Sequence, residues 1–271
     1  MTLQRENGSI IKTLFSLWVL CFFTGMIFHF RAVSSISTGL LLITGLACYK
    51  KKAVSLLFRS SLSPFLISCL LYFLYTVINL LLKDNTTVMR SQLEMKSALV
   101  LVPVAVSFTG FVGSKQLKRL MQYFVLLLLA ACLYCLLIDV NTWIRTGQET
   151  IFFYHDLVSP LNQHAVFFSF LLFFSLLYIL EYGTGFNFLP GKKLDGILTV
   201  FFSLILVLLA SKLILFCWVV YLVYYFLKNK TGKKKLGWLL LLLVPLLLIA
   251  FTKNPVSNRF REIVQTDWAS L

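Results

Sequence analysis

Residues 196–227 read GILTVFFSLILVLLASKLILFCWVVYLVYYFL, an apolar run whose one charged side chain is Lys212. Lys192 and Lys193 precede it, and Lys228 and Lys230 follow it. A membrane-crossing helix takes roughly 17–25 residues, so the run is long for one crossing and short for two. Lys and Arg collect in cytoplasmic loops. Both flanks are basic, and an even number of crossings must therefore join them. The reading that follows is a pair of short helices, 196–210 and 213–227, with Ser211 and Lys212 at the turn. At about 1.5 Å per residue, fifteen residues reach only ~22 Å, against a hydrocarbon core of ~30 Å. The turn is therefore expected in a thinned or water-filled recess. A lysine in mid-span would otherwise cost about 2.5–3.5 kcal/mol.

The rest of the chain fits the same solvent. Of its 271 residues 59% are hydrophobic and 13% charged, whereas soluble domains are ~45–50% apolar and ~25% charged. Disorder is excluded by the surplus of apolar residues. Further apolar blocks lie at about 12–30, 33–49, 62–82, 97–113, 120–139, 161–180 and 236–252, which with the hairpin makes about nine spans in an all-α polytopic membrane protein. With the N-terminus cytoplasmic, the inner segments hold 16 Lys+Arg against three acids, and the outer segments nine against seven. The net charge of +15 is thus read as topology, and nucleic acid is not expected as a partner. Position 271 is then periplasmic. No signal-peptide cleavage pattern follows the first apolar block. One transmembrane domain over 1–271 is expected, with Leu271 a truncation point at the start of a large outer loop.

Chemistry is sparse on the inner side. Gly183, Gly185 and Gly191 match neither a phosphate-cradling nor a dinucleotide fingerprint. Cys132 and Cys135 form a C-x-x-C inside an apolar frame, without further ligands at zinc spacing, and read as helix packing. No metal or cofactor is expected. No acid is expected inside a span, Asp139 being placed at a helix end.

The outer side is richer. The stretch Tyr154 to His164 leads into the sixth span. His155 beside Asp156 has the composition of an acid/base pair, although aromatic interface loops carry similar residues. Asn162, Gln163 and His164 are placed in the first turn of an apolar helix, where three polar residues together suggest a mouth onto a wet cavity. Ser211 shares that cavity at the hairpin tip. Lys212 is a compact cation suited to phosphate, with snorkelling to the interface as the ordinary alternative. Arg259 and Arg261, beyond the ninth span, offer forked donors for phosphate oxygens and could equally meet lipid headgroups.

Three of these features together resemble the O-antigen ligase/polymerase superfamily. They are Tyr154 to His164 at a helix mouth, Ala210-Ser211-Lys212 at the tip of a short-helix pair, and Asn254-Pro255 with Asn258-Arg259-Phe260 after a span. The resemblance implies a GT-C-like fold and transfer of a glycan from undecaprenyl diphosphate to lipid A core, another glycan or a protein. The reaction would run at the periplasmic face of the bacterial inner membrane, within polysaccharide or lipopolysaccharide biosynthesis, and without a cofactor. It further implies a diphosphate site at Lys212 and Arg259, with the catalytic base beyond Leu271 and this stretch inactive alone. Two departures stand out: Lys212 occupies a position where arginine is commoner, and the large loop of the family is missing. The competing classes are a lipid-linked glycan flippase or other transporter, which predicts a polar path across the midplane, and a non-catalytic membrane scaffold. An enzyme predicts that Lys212, His164 and Arg259 converge.

Overall fold

A computed structural model describes residues 2–47, 63–82, 97–98, 100–106, 108, 114–186 and 191–228. Among these residues the chain is helical and has no strand. The helices are α1 (Thr2–Ile27), α2 (Arg31–Ala47), α3 (Ser63–Leu82), α4 (Ser114–Thr146), α5 (Ala165–Tyr182), α6 (Gly191–Leu208) and α7 (Lys212–Lys228), and residues 100–106 are also helical. Two 3-10 helices, Glu149–Phe152 and Asp156–Leu161, lie between α4 and α5. The ninth expected span and both Arg259 and Arg261 lie outside the described residues. Two of the helices, Lys115–Thr146 and Ala165–Tyr182, are long and apolar enough to cross a membrane.

Backbone contacts divide the chain into two compact units, Met1–Tyr123 and Phe124–Leu271, with the boundary inside α4. In the first unit α1 and α2 fold back on each other through a turn at Phe28–Phe30. A Cβ on Gly25 would stand 2.7 Å from the backbone nitrogen of Ser34, so glycine is what lets the two backbones approach there. Phe15, Val19, Leu41 and Ala105 form the core, with Trp18, Phe22 and Val102 against it. Gly45 meets the backbone of Ala105 in the same way, 2.8 Å from its carbonyl oxygen, the close small-residue packing that apolar helices use when no hydrophobic gradient drives them together. Hydroxyls inside these helices bond their own backbone, as Thr38 Oγ1 does to the Ser34 carbonyl (2.8 Å) and Thr44 Oγ1 to that of Leu40 (2.7 Å). These hydroxyls are then not left bare toward an apolar surround.

In the second unit, helix α5 buries small hydroxyl residues and exposes several large aromatic ones. Ser169 and Ser175 are fully buried, while Phe167, Phe170 and Phe174 face outward.

The direction of each helix in this unit follows from its end contacts. Asp195, in the first turns of α6, accepts from both the N–H and the hydroxyl of Thr184, just past the end of α5. At the other end of α6, the Leu208 carbonyl accepts from the Tyr154 N–H (3.0 Å), ahead of α5. The chain then turns over Leu209 to Ser211, and α7 returns. Trp218 packs edge-on against Phe173, the Tyr221 hydroxyl donates to Glu181 (2.9 Å), and Lys228 lies 3.7 Å from Glu181. Helices α6 and α7 therefore traverse the unit in opposite directions, with the break at the Ser211–Lys212 step. Their lengths differ from expectation. With 18 and 17 residues each reaches about 26 Å, because α6 begins at Gly191 and takes in Lys192, Lys193 and Asp195.

Two boundaries also move. Helix α4 continues to Thr146, seven residues past the expected end at 139, because the first residue able to stop it is Gly147. Gly147 adopts φ +67° and donates to the Trp143 carbonyl (2.7 Å), the left-handed glycine ending typical of helices. Helix α5 starts at Ala165, so Asn162, Gln163 and His164 precede the helix instead of forming its first turn.

Candidate functional site

The segment between the 3-10 helices and α5 is built on unusual backbone. Tyr154, Asn162 and Ala210 all adopt left-handed conformations, with φ of 56°, 51° and 48°. Such a conformation costs a non-glycine L-residue roughly 1–2 kcal/mol, less for asparagine, and it persists only where surrounding contacts fix it. The contact at Tyr154 is visible: its backbone N–H reaches the Leu208 carbonyl. The loop before α5 and the tip of the α6–α7 hairpin are thereby joined by a main-chain hydrogen bond.

On this frame the side chains close up. The Tyr154 and His155 rings lie 4.0 Å apart, centroid to centroid, and those of His155 and His164 lie 4.5 Å apart, both pairs edge to face. The Nδ1 of His155 accepts from the Ala165 N–H (3.4 Å), and that of His164 from the Val166 N–H (3.3 Å). Both imidazoles thus cap the first turn of α5, whose leading N–H groups have no partner within the helix. A neutral ring that accepts at Nδ1 carries its proton on Nε2. His155 therefore turns toward His164 and the helix start, while its neighbour Asp156 is exposed and opens the second 3-10 helix. Asn162 caps that 3-10 helix, its N–H reaching the Ser159 carbonyl (2.9 Å), and is exposed; the side chain of Gln163 is buried.

At the hairpin tip Ser211 is buried, and its carbonyl accepts from the Leu215 N–H (2.9 Å), as that of an N-cap residue does. Lys212 is the first residue of α7 and half-buried. Tyr154, His155, Asp156, Asn162, Gln163, His164, Ser211 and Lys212 thus occupy one end of the second unit. Glu181, Asp195 and Lys228 occupy the other.

The site contains a residue that sequence reasoning missed. Asp139 is not at a helix end: it lies inside α4, 2% exposed, with its Oδ2 lacking a hydrogen-bond partner. Two ring pairs fix its level. Phe124 packs on Phe174, and Trp143 on Phe152, so α4 runs antiparallel to α5. From Phe124 to Asp139 is about 22 Å of helix, and from Phe174 back to Ala165 only about 13 Å. Asp139 accordingly stands beyond the start of α5, one turn below Trp143, at the level of the Tyr154–His164 loop. The Asp156 carboxylate is within electrostatic range of it. The signal that would have found it is the absence of any glycine or proline between Asp139 and Gly147.

Comparison of the chain with protein-family models, with curated proteins and with solved structures finds no match.

Proposed function

We propose that the protein is a membrane glycosyltransferase of the O-antigen ligase/polymerase type. It moves a glycan from an undecaprenyl-diphosphate carrier to lipid A core, another glycan or a protein at the periplasmic face of the inner membrane, on a GT-C-like bundle of about nine spans. The observation that carries this reading is the main-chain bond from Tyr154 to Leu208, because it brings the His164 loop to the hairpin tip that bears Lys212. Cleavage of a sugar–diphosphate bond requires stabilisation of a departing anion, which a fixed cation at the outer end supplies. Lys212 fills that role, with Arg259 as its partner, and Ser211, Asn162, Gln163 and His164 line the space around it. Tyr154, His155, Asp156 and Arg261 are secondary candidates for the same site.

The test is glycan transfer from a lipid-diphosphate donor by protein purified from its complete reading frame. Lys212→Ala should lower turnover by about two orders of magnitude or more, the scale seen when one transition-state donor is removed, and leave membrane insertion intact. Lys212→Arg should keep most of the activity, since the charge is retained. Undiminished turnover in Lys212→Ala would remove the residue from the site.

A second reading, a lipid-linked glycan flippase or other transporter, is favoured by one observation. Asp139 is a buried acid within an apolar helix, and such acids commonly mark solute or ion paths. No comparable observation favours a scaffold.

A further inference from the structure

Helix α4 carries Cys132, Cys135 and Asp139 at i, i+3 and i+7, all buried, a spacing that sets them along one side of the helix. The thiols behave as small neutral groups. Asp139 does not, because a carboxylate loses far more than a neutral group on leaving water and is tolerated in an interior only with a compensating charge. Its Oδ2 has no hydrogen-bond partner. Among the described residues no lysine, arginine or histidine is ion-paired with it. The titratable groups in electrostatic contact with it are Asp156, from the second 3-10 helix, and Cys135, one turn back on α4, on which Asp139 itself acts. Asp156 has the same sign of charge as Asp139 and so adds to the deficit. A buried acid within electrostatic range of a second acid, without a basic partner among the described residues, is balanced by a cation from solution.

We propose that Asp139 is the binding site for a small monovalent cation, a proton or a sodium ion, taken up from the end of the unit that carries Asp156. A divalent ion fits poorly: calcium takes six or more oxygen ligands and magnesium an octahedron, and among the described residues no three metal-ligating side chains come together. Entry is from the outer end, because Asp139 lies at the level of the loop and Asp156 is exposed there. The inference names an ion for the second reading above. Its test measures binding, so it stands or falls whether or not any glycan is transferred or moved.

The experiment is infrared difference spectroscopy of the complete protein in lipid nanodiscs, comparing wild type with Asp139→Asn across pH and with sodium added. If the ion is a proton, wild type shows at neutral pH, where an ordinary aspartate is ionised, a carboxylic-acid carbonyl band that Asp139→Asn lacks and sodium leaves unchanged. If it is sodium, adding the salt shifts a carboxylate band in wild type alone. Spectra that differ in neither respect overturn the proposal. Asp156→Asn, a change at an exposed position, keeps the test open should Asp139→Asn fail to fold. Removing the second negative charge should weaken cation binding by up to roughly tenfold, and undiminished binding in that variant would overturn the pairing of Asp139 with Asp156.

Discussion

The Nδ1 of His164 receives the Val166 N–H, so this residue caps the start of a helix. Two substitutions test the cap. Asparagine is among the best N-cap residues and alanine among the poorest, a difference of about 0.5–2 kcal/mol. His164→Asn should therefore hold α5 at least as firmly as wild type, and His164→Ala should loosen it by that amount, as read from thermal unfolding in detergent by circular dichroism. Equal stability of the two variants would show that the imidazole does not cap. The same residue marks how far sequence reading reaches. That Asn162, Gln163 and His164 stand where an apolar helix begins was legible from three polar side chains abutting an apolar run. Their caps were not, because histidine is no signature of an N-cap and the left-handed turn at Asn162 depends on the 3-10 helix before it. Asp139 was misread for a related reason. A hydropathy block ends where polarity begins, but a helix ends where its backbone can be stopped, and in α4 that is Gly147.

At the scale of elements, the reversal between α6 and α7 is the feature that charge alone disclosed. Hydropathy showed one run of 32 residues; only the lysines on both flanks required it to fold back. What charge could not disclose was where α6 begins, since Lys192 and Lys193 belong to the helix while flanking its apolar part. Two measurements address the turn. A single-cysteine pair replacing Glu181 and Lys228 should be joined by a short bifunctional thiol reagent, because Lys228 returns to within 3.7 Å of Glu181. A continuous helix over 191–228 would carry the two far apart and leave them unlinked. Ala210 adopts φ 48° at the turn, where a Cβ is unfavourable. Ala210→Gly should therefore stabilise the protein by up to about 1 kcal/mol, seen as a higher midpoint of thermal unfolding. A lower midpoint would mean that the left-handed turn is absent in the folded protein.

For the whole molecule, geometry and charge make separate demands on the topology proposed above. Geometry requires only that Lys192 and Lys228 lie at the same end of the second unit, since α6 leaves from that end and α7 comes back to it. Charge then says which end: 16 Lys+Arg against three acids on one set of segments, nine against seven on the other. Basic segments are retained on the cytoplasmic side, so the end bearing Glu181, Asp195 and Lys228 should be inside, and the end bearing Tyr154, His164 and Lys212 outside. Reporter fusions that are active only in the cytoplasm should score positive after residues 55, 116, 190 and 232, and negative after 88, 150 and 260. Positions 190 and 232 are the sharpest pair, because a single crossing between them would give opposite signals and the hairpin gives the same one. A cytoplasmic signal at 260 would place Arg259 on the inner face, out of reach of a diphosphate held at Lys212. The glycan-transfer reading would then lose one of its two cations, while the cation site at Asp139, which rests on the second unit alone, would be left as it is.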